Sequence, residues 1–329
     1  MAPSACLGSG FRRLDSVLEV SAQRVWNSGT VVLGSATFGG MGNSPELLGR
    51  GLDQQAAFEA MDEAVAQSIT MFDTAENYAL GASEAIIGRW LIDRDATITG
   101  SVRIATKVAP SLAAGPRGFG TSFLEERLSG SLQRLGVDAV ELLLTHLPDD
   151  STPIEETLEG LEAIRASGRC RFVGACNIDA ARLTAALDAA DRLGIAGYQV
   201  VQNGFSLLFP DGERAVRSMC AERNLAFTPY SPMAGGLLTG KYRFGQAAPP
   251  DSRLGLRPDG FEKMLTPVVN DAIDRLRQRA EEGHGAGCGA LALAWLLHHD
   301  EVTAVVTGPA RRSPRLELVE QARAITLSD

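Results

Sequence analysis

Four side chains able to exchange protons follow predicted strands at the same relative point. Asp73 and Tyr78 come after one short β-rich run, Lys107 follows the next run, and His146 follows the one after it. A lysine ammonium beside a tyrosine lowers the pKa of the phenol from its ordinary value of about 10. A buried carboxylate keeps the lysine charged, and a neutral imidazole can hydrogen-bond a carbonyl. The set suits protonation of a carbonyl oxygen while a hydride reaches the carbon.

Each of these residues alone has an ordinary structural explanation. An aspartate after a strand is usually a helix N-cap, a tyrosine there is more often packing, and a lysine can be a solvated base. The joint placement favours chemistry, because the chain has only three lysines, Lys107, Lys241 and Lys263, and only four histidines. The other histidines are expected to be structural or exposed, in or beside predicted helices: His284, His298 and His299.

The elements that must position these residues alternate regularly. Eight β-rich apolar runs cover 30–33, 69–72, 102–106, 140–144, 171–175, 198–201, 226–228 and 303–306. Segments with helical apolar spacing cover 56–66, 83–91, 122–135, 154–166, 180–193, 213–223 and 267–281. The alternation predicts a parallel sheet, and eight units predict a (β/α)8 TIM barrel with its active site at the carboxyl ends of the strands. A doubly wound sheet is the rival, but the GxGxxG spacing is missing after the first run.

Composition limits the class of protein. Hydrophobic residues make up 45% and charged residues 22%, the values of an ordinary globular protein. We expect one domain over residues 1–329, with 1–29 as an N-terminal extension, and no membrane span, because no long uncharged apolar run occurs. A net charge of −9 argues against a nucleic-acid partner. Five cysteines without a CxxC pair indicate neither a zinc site nor a disulfide framework.

The N-terminus has no basic region followed by a long apolar core, so it is not a secretory signal. Together with the cysteine pattern, this predicts a cytoplasmic, reducing location. No metal site is expected.

Several motifs occur together in a recognisable order. They are FDTAENYALGASE at 72–84, IATK at 104–107, LLLTH at 142–146, GRCRFVGACN at 168–177 and YSPMAGGLLTGKY at 230–242. In this order they resemble the aldo-keto reductase family over nearly the whole chain. The residues of the last two motifs, and of the stretch 146–157, most resemble the aflatoxin-aldehyde-reductase-like and channel-β-subunit-like branches.

The resemblance implies an NADP(H)-dependent carbonyl reductase. Tyr78 would be the general acid, Lys107 its partner, and Asp73 the partner of the lysine. His146 would orient the carbonyl. The cofactor-binding residues implied by the family are Thr37, Phe38, Cys176, Asn177, Gln202, Tyr230, Ser231, Pro232, Met233, Gly235, Lys241, Gly308, Arg311, Arg312 and Glu320.

Within this set the resemblance implies separate roles. Asn177 and Gln202 would hold the nicotinamide carboxamide, and Tyr230 would stack on its ring. Gly308 and the helix after it would hold the adenosine phosphate, since helix N-termini and arginines both bind phosphate.

The chain departs from the family pattern at several places. Cys176 stands where serine is usual, and a thiol is the weaker hydrogen-bonding group. Ala79 replaces the usual glycine after Tyr78. The stretch after Gly308 is one residue longer than usual, which leaves open which arginine reaches the 2′-phosphate. The C-terminal tail is expected to be short or truncated relative to the family.

These observations predict reduction of an aldehyde or ketone, with a small-molecule carbonyl substrate. Two alternatives stay open: a reductase or dehydrogenase of a nucleotide-linked keto-deoxysugar, and a cofactor-binding regulatory protein like the channel β-subunits. The loops expected to choose the substrate are 41–52, 109–120 and 246–260. Substrate, direction of reaction and the choice between monomer and homo-oligomer stay open.

Overall fold

The computed structural model describes residues 30–110, 118–257, 260–309 and 315–327. The expected N-terminal extension and both Arg311 and Arg312 lie outside these residues.

Eight parallel strands form the centre of the molecule. They are β1 Thr30–Gly34, β2 Met71–Asp73, β3 Arg103–Val108, β4 Val140–Thr145, β5 Cys170–Cys176, β6 Val200–Gln202, β7 Ala226–Phe227 and β8 Ala304–Thr307. Each strand pairs with its neighbours in sequence, and β1 also pairs with β8. Between β7 and β8, Thr303 N donates to Phe227 O and Val306 N to Pro229 O, each at 2.9 Å. The predicted single-domain (β/α)8 barrel is therefore confirmed.

Helices surround the strands. The longer ones are α1 Gln54–Ala66, α2 Ala82–Asp93, α3 Thr121–Leu135, α4 Ile154–Ala166, α5 Ala180–Leu193, α6 Arg214–Glu222, α7 Pro267–His284, α8 Cys288–Leu297 and α9 Arg315–Ala324. Short helical turns cover Pro45–Leu47, Tyr78–Gly81, Ala96–Thr99, Ala234–Thr239, Arg253–Leu256 and Phe261–Met264. Among the described residues, no helix combines the length and apolar character needed to cross a bilayer.

Two apolar layers explain why the sequence of each strand is almost entirely hydrophobic. One layer lies between strands and helices and includes Leu33, Phe72 and Leu143. The other fills the inside of the barrel and includes Met71, Ala105, Leu142, Leu144 and Val200. Both faces of each strand are thus buried, as in other all-parallel sheets.

The alternation of side chains along each strand determines which candidate residues point into the barrel. Asp73 lies two residues beyond the inward-facing Met71, and Lys107 two residues beyond Ala105. His146 follows Leu144 by the same step, as Gln202 follows Val200. Residues two apart point to the same face. The four polar side chains therefore form the top layer of the barrel interior.

We expect two helical glycines to respond oppositely to alanine. A Cβ on Gly88 in α2 would overlap the backbone carbonyl of Arg134 in α3, whereas Gly283 in α7 has open space around it. Gly88→Ala should destabilise the fold by about 1–3 kcal/mol through overpacking. Gly283→Ala should stabilise it by up to about 1 kcal/mol, because alanine loses less backbone entropy. Denaturant unfolding measures both, and a change of the same sign in the two variants would contradict the packing argument.

Candidate active site

The ends of β2 and β3 bring a buried ion pair together. Lys107 Nζ lies 2.5 Å from Asp73 Oδ1, 2.9 Å from the carbonyl oxygen of Thr74 and 3.3 Å from the hydroxyl of Tyr78. The lysine side chain is 0% exposed. Its three ammonium protons thus have three oxygen partners, the arrangement that a buried charge requires.

The second carboxylate oxygen of Asp73 has a partner from the opposite side of the barrel. Gln202 Nε2 donates to Asp73 Oδ2 at 2.8 Å. Family resemblance implied that Gln202 holds the nicotinamide carboxamide. In this structure its amide N–H is engaged with the aspartate, and the residue also lines the cleft described below.

His146 lies edge-on to Tyr78, with ring centroids 5.5 Å apart and the planes at 77°. Its Nδ1 is buried and has no hydrogen-bond partner within the described part of the chain. A buried polar atom without a partner costs free energy. The imidazole, packed against the ring of Tyr78, therefore has unused hydrogen-bonding capacity.

Burial and the lysine charge fix the protonation states of the site. Burial raises the pKa of Tyr78 to about 12, although the nearby Lys107 ammonium acts to lower it. The expected lowering by lysine is present, but desolvation outweighs it, so the phenol is neutral. Burial and then Lys107 lower the pKa of His146 to about 3, so the imidazole is neutral too. For Lys107, burial lowers the pKa but the Asp73 carboxylate outweighs it, and the ammonium stays charged.

A cleft of about 1230 Å³, its open mouth included, begins at Asp73 and Tyr78 and crosses the top of the barrel. Most of the predicted cofactor residues line it: Thr37, Gln202, Tyr230, Ser231, Pro232, Met233, Gly235, Lys241 and Gly308. They come from the ends of β1, β6, β7 and β8, which explains how residues distant in sequence share one wall.

Other predicted residues lie away from this cleft. Phe38 is 0% exposed and packs in the hydrophobic core, so its side chain does not line the channel as expected. Glu320 is exposed on α9, near Glu63 of α1 rather than the cleft. Arg311 and Arg312 lie outside the described residues.

Cys176 and Asn177 lie beneath the cleft wall. Asn177 Nδ2 donates to the His146 carbonyl oxygen at 2.9 Å, and the Tyr230 hydroxyl donates to Asn177 Oδ1 at 2.6 Å. Asn177 therefore ties the histidine strand to the tyrosine expected at the nicotinamide ring. Cys176 is 3% exposed, and burial raises the pKa of its thiol to about 12, which makes it unreactive at neutral pH.

Sequence reasoning missed several lining residues. Arg50, Asp251, Ser252, Arg253 and Phe261 all line the cleft. Arg50 belongs to the loop 41–52, while Asp251, Ser252 and Arg253 belong to the loop 246–260. Both loops were expected to choose the substrate. The guanidinium of Arg257 joins them by donating to the Met41 carbonyl oxygen at 3.4 Å. The arginines within these Pro- and Gly-rich loops are the sequence signal from which these cleft residues could have been predicted.

The shape and chemistry of the cleft fit a nicotinamide dinucleotide. Gln202 and the ring of Tyr230 lie at the end nearest Tyr78, and the cationic Arg50, Lys241 and Arg253 line the same cleft. Cationic side chains suit the phosphate groups of such a molecule. In the described residues no group of three or more His, Cys, Asp or Glu side chains could hold a metal ion.

His146 should not titrate between pH 5 and 8, because its pKa is about 3. The unfolded chain binds a proton near pH 6.5 that the folded chain does not, so acidification favours unfolding. Relative to that of His146→Asn, the free energy of unfolding of the wild type should therefore fall by about 1–2 kcal/mol from pH 7 to pH 5. Imidazole NMR, with His146→Asn for assignment, measures the pKa. A midpoint near 6.5 for His146 would contradict the burial argument.

Comparisons with known proteins agree with this geometry. A sequence profile of the Aldo/keto reductase family matches residues 30–329. The L-glyceraldehyde 3-phosphate reductase of Escherichia coli K12 is 31% identical over 273 residues, covering 79% of this chain and 77% of that protein. A probable voltage-gated potassium channel subunit beta of Arabidopsis thaliana is 31% identical over 286 residues, covering 85% of each protein.

A solved structure shares the fold. The glycerol dehydrogenase of Gluconobacter oxydans superposes with a TM-score of 0.72 over 91% of this chain and 87% of that one, at 24% identity. The aldo-keto reductases are oxidoreductases that reduce carbonyl groups and generally use a nicotinamide cofactor. The family profile over residues 30–329 and the relatives above 30% identity establish that this chain belongs to the aldo-keto reductase family.

Proposed function

We propose that the protein reduces an aldehyde or ketone to an alcohol with NADPH, and that Tyr78 is the proton donor. The observation that carries the proposal is the 3.3 Å contact between the Tyr78 hydroxyl and a Lys107 ammonium that Asp73 holds in place. The neutral ring of His146, packed against the ring of Tyr78, supports it.

Different cleft residues would bind different parts of the cofactor. Tyr230 and Gln202 would hold the nicotinamide end, and the turn Ala234–Thr239 would hold the diphosphate. Gly308 at the end of β8 is placed for the adenosine end. When bound, the reduced nicotinamide supplies the hydride for the carbonyl carbon.

The residues of this chain then handle the proton. His146 hydrogen-bonds the carbonyl oxygen and fixes its orientation. As negative charge develops on that oxygen, the Tyr78 O–H bond breaks and its proton forms the alcohol. Lys107 stabilises the phenolate that remains until solvent returns a proton. Because Lys107 is buried and Asp73 keeps it charged, its attraction for the phenolate acts in a low-dielectric site, although the Asp73 carboxylate offsets part of it.

Tyr78→Phe should abolish turnover, because positioned acid catalysis contributes about 10²–10⁴-fold. NADPH affinity should barely change, since the ring keeps its place in the cleft wall. Stopped-flow turnover and fluorescence quenching measure the two effects. Tyr198→Phe is the matched control: this tyrosine is also buried, but it lines a different cavity beside Thr145. A Tyr78→Phe enzyme with more than roughly a tenth of wild-type kcat contradicts the assignment.

NADPH should bind more tightly than NADH through the cationic residues Arg311, Arg312 and Lys241. Loss of one charged contact to phosphate costs on the order of 1.5–3 kcal/mol. Lys241→Gln or Arg312→Ala should therefore raise the Kd for NADPH by about 10-fold or more. Lys263→Gln is the control, because Lys263 does not line the cleft. Equal affinities of the wild type for the two cofactors would disprove the preference.

The similarity to a channel β-subunit makes a cofactor-binding regulatory role the alternative to test. Steady NADPH oxidation with several aldehydes supports the reductase, and tight cofactor binding with negligible turnover supports the regulatory role. A keto-deoxysugar substrate remains the alternative within enzymes. A cytoplasmic location also remains a prediction, and so does the choice between monomer and homo-oligomer.

A further inference from the structure

The segment that carries Tyr78 has an unfavourable backbone conformation. Ala79, Leu80 and Gly81 all have positive φ angles, at 49°, 56° and 93°. A non-glycine residue in this region costs roughly 1–2 kcal/mol. Ala79 and Leu80 carry this cost directly after Tyr78, so the position of Tyr78 depends on contacts made by the flanking residues.

One anchor follows the turn. Ser83 Oγ, fully buried at the start of α2, lies 2.8 Å from Ser35 Oγ and 3.0 Å from Thr74 Oγ1. It also donates to the Ser35 carbonyl oxygen at 3.0 Å. This hydroxyl cluster ties the C-terminal side of the segment to the end of β1.

The other anchor precedes the turn and consists of Glu76. Thr74 N donates to the Ala105 carbonyl oxygen at 2.9 Å and Glu76 N to that of Lys107 at 3.1 Å, so the segment continues to pair with β3. Glu76 Oε1 then accepts from Ala109 N at 2.8 Å. The carboxylate thus takes the position in the ladder that the next backbone carbonyl would occupy.

A charge on α3 holds the carboxylate itself. Glu76 Oε2 lies 2.6 Å from Arg127 Nε, and the glutamate side chain is 1% exposed. Burial raises the pKa of Glu76, and the pairing with Arg127 and the Ala109 N–H oppose that shift. Glu84 of α2 also acts to raise it, and Arg134 of α3 pairs with Glu84.

Glu76, two residues before Tyr78, is therefore bonded to the Lys107 carbonyl of β3 and to the N–H of Ala109, just after that strand. We propose that Glu76 is a positioning residue that holds the Tyr78 hydroxyl within reach of the Lys107 ammonium. The inference rests on the proposed role of Tyr78 as the proton donor. A displacement of about 1 Å at a reacting group can cost 10²-fold in rate.

The chain contains a matched control. Glu84 is also buried, accepts from Thr106 Oγ1 of β3 at 2.5 Å and lies 2.7 Å from Arg134 Nε of α3. Like Glu76 it accepts one hydrogen bond and pairs with an arginine of α3, but its donor is a side-chain hydroxyl rather than a backbone N–H, and it lies after the turn. Glu84→Ala should lower stability without moving Tyr78.

The experiment compares four variants for kcat, KM, NADPH Kd and melting temperature. Glu76→Ala loses both contacts, and Glu76→Asp keeps the charge but falls short of Ala109 N. Both should lower kcat by about 10- to 100-fold, with the Kd within about two-fold. Glu76→Gln keeps an oxygen for Ala109 N and should retain most of the kcat, as should Glu84→Ala. If Glu76→Ala does not fold, the comparison of Glu76→Asp with Glu76→Gln carries the test.

A second readout needs neither turnover nor cofactor. The chain has four tyrosines, so ¹³Cζ-tyrosine NMR of the free protein gives four signals, and Tyr78→Phe assigns one of them. The Tyr78 signal should shift in Glu76→Asp and stay in place in Glu84→Ala. If Glu76→Asp keeps wild-type kcat and the wild-type Tyr78 signal, the proposal is overturned. If the wild type turns over no carbonyl compound, the proposed function fails while the NMR result still decides the role of Glu76.

Discussion

The buried ion pair between Lys107 and Asp73 is the constraint on which the site depends. An ammonium with no exposure is tolerated only when every proton has a partner, and removing one partner of a buried pair typically costs about 3–5 kcal/mol. Here the partners come from three places: the end of β2, the carbonyl of Thr74 and the hydroxyl of Tyr78. From the far side of the barrel, Gln202 donates a hydrogen bond to the other carboxylate oxygen of Asp73. The carboxyl ends of β2, β3 and β6 must therefore lie close together. This arrangement also brings the rings of Tyr78 and His146 into contact.

Much of this architecture follows from local sequence pattern. The bounds of α4 and α5 coincide with the predicted segments, because apolar residues recur there at helical spacing. Helix α8 escaped prediction since it is apolar on nearly every side and has no periodicity to detect. The sequence also allows Asp73, Lys107 and His146 to be grouped, because each stands at the carboxyl end of an apolar run and those ends meet on one face of a barrel.

What could not be predicted depends on three-dimensional burial. Sequence shows that Lys107 follows a strand, but not that Tyr78 is desolvated enough to keep its pKa high. Nor does it show that Phe38 turns into the core, or that Asn177 bonds to both His146 and Tyr230. Glu76 was visible in the motif but unassigned, because its importance arises from the bond to Ala109 N.

The inner apolar layer of the barrel has a consequence for hydration of the site. Met71, Ala105 and Leu144 lie one step below the three charged or polar groups on the same strands, so they form a dry floor beneath them. Large-to-small substitution in such a floor leaves a cavity. A water admitted beside the polar groups there would offer Lys107 a competing hydrogen-bond acceptor and weaken its hold on the tyrosine. The hydrocarbon side chains of this layer are in that sense part of the proton-transfer apparatus, although none of them carries a proton.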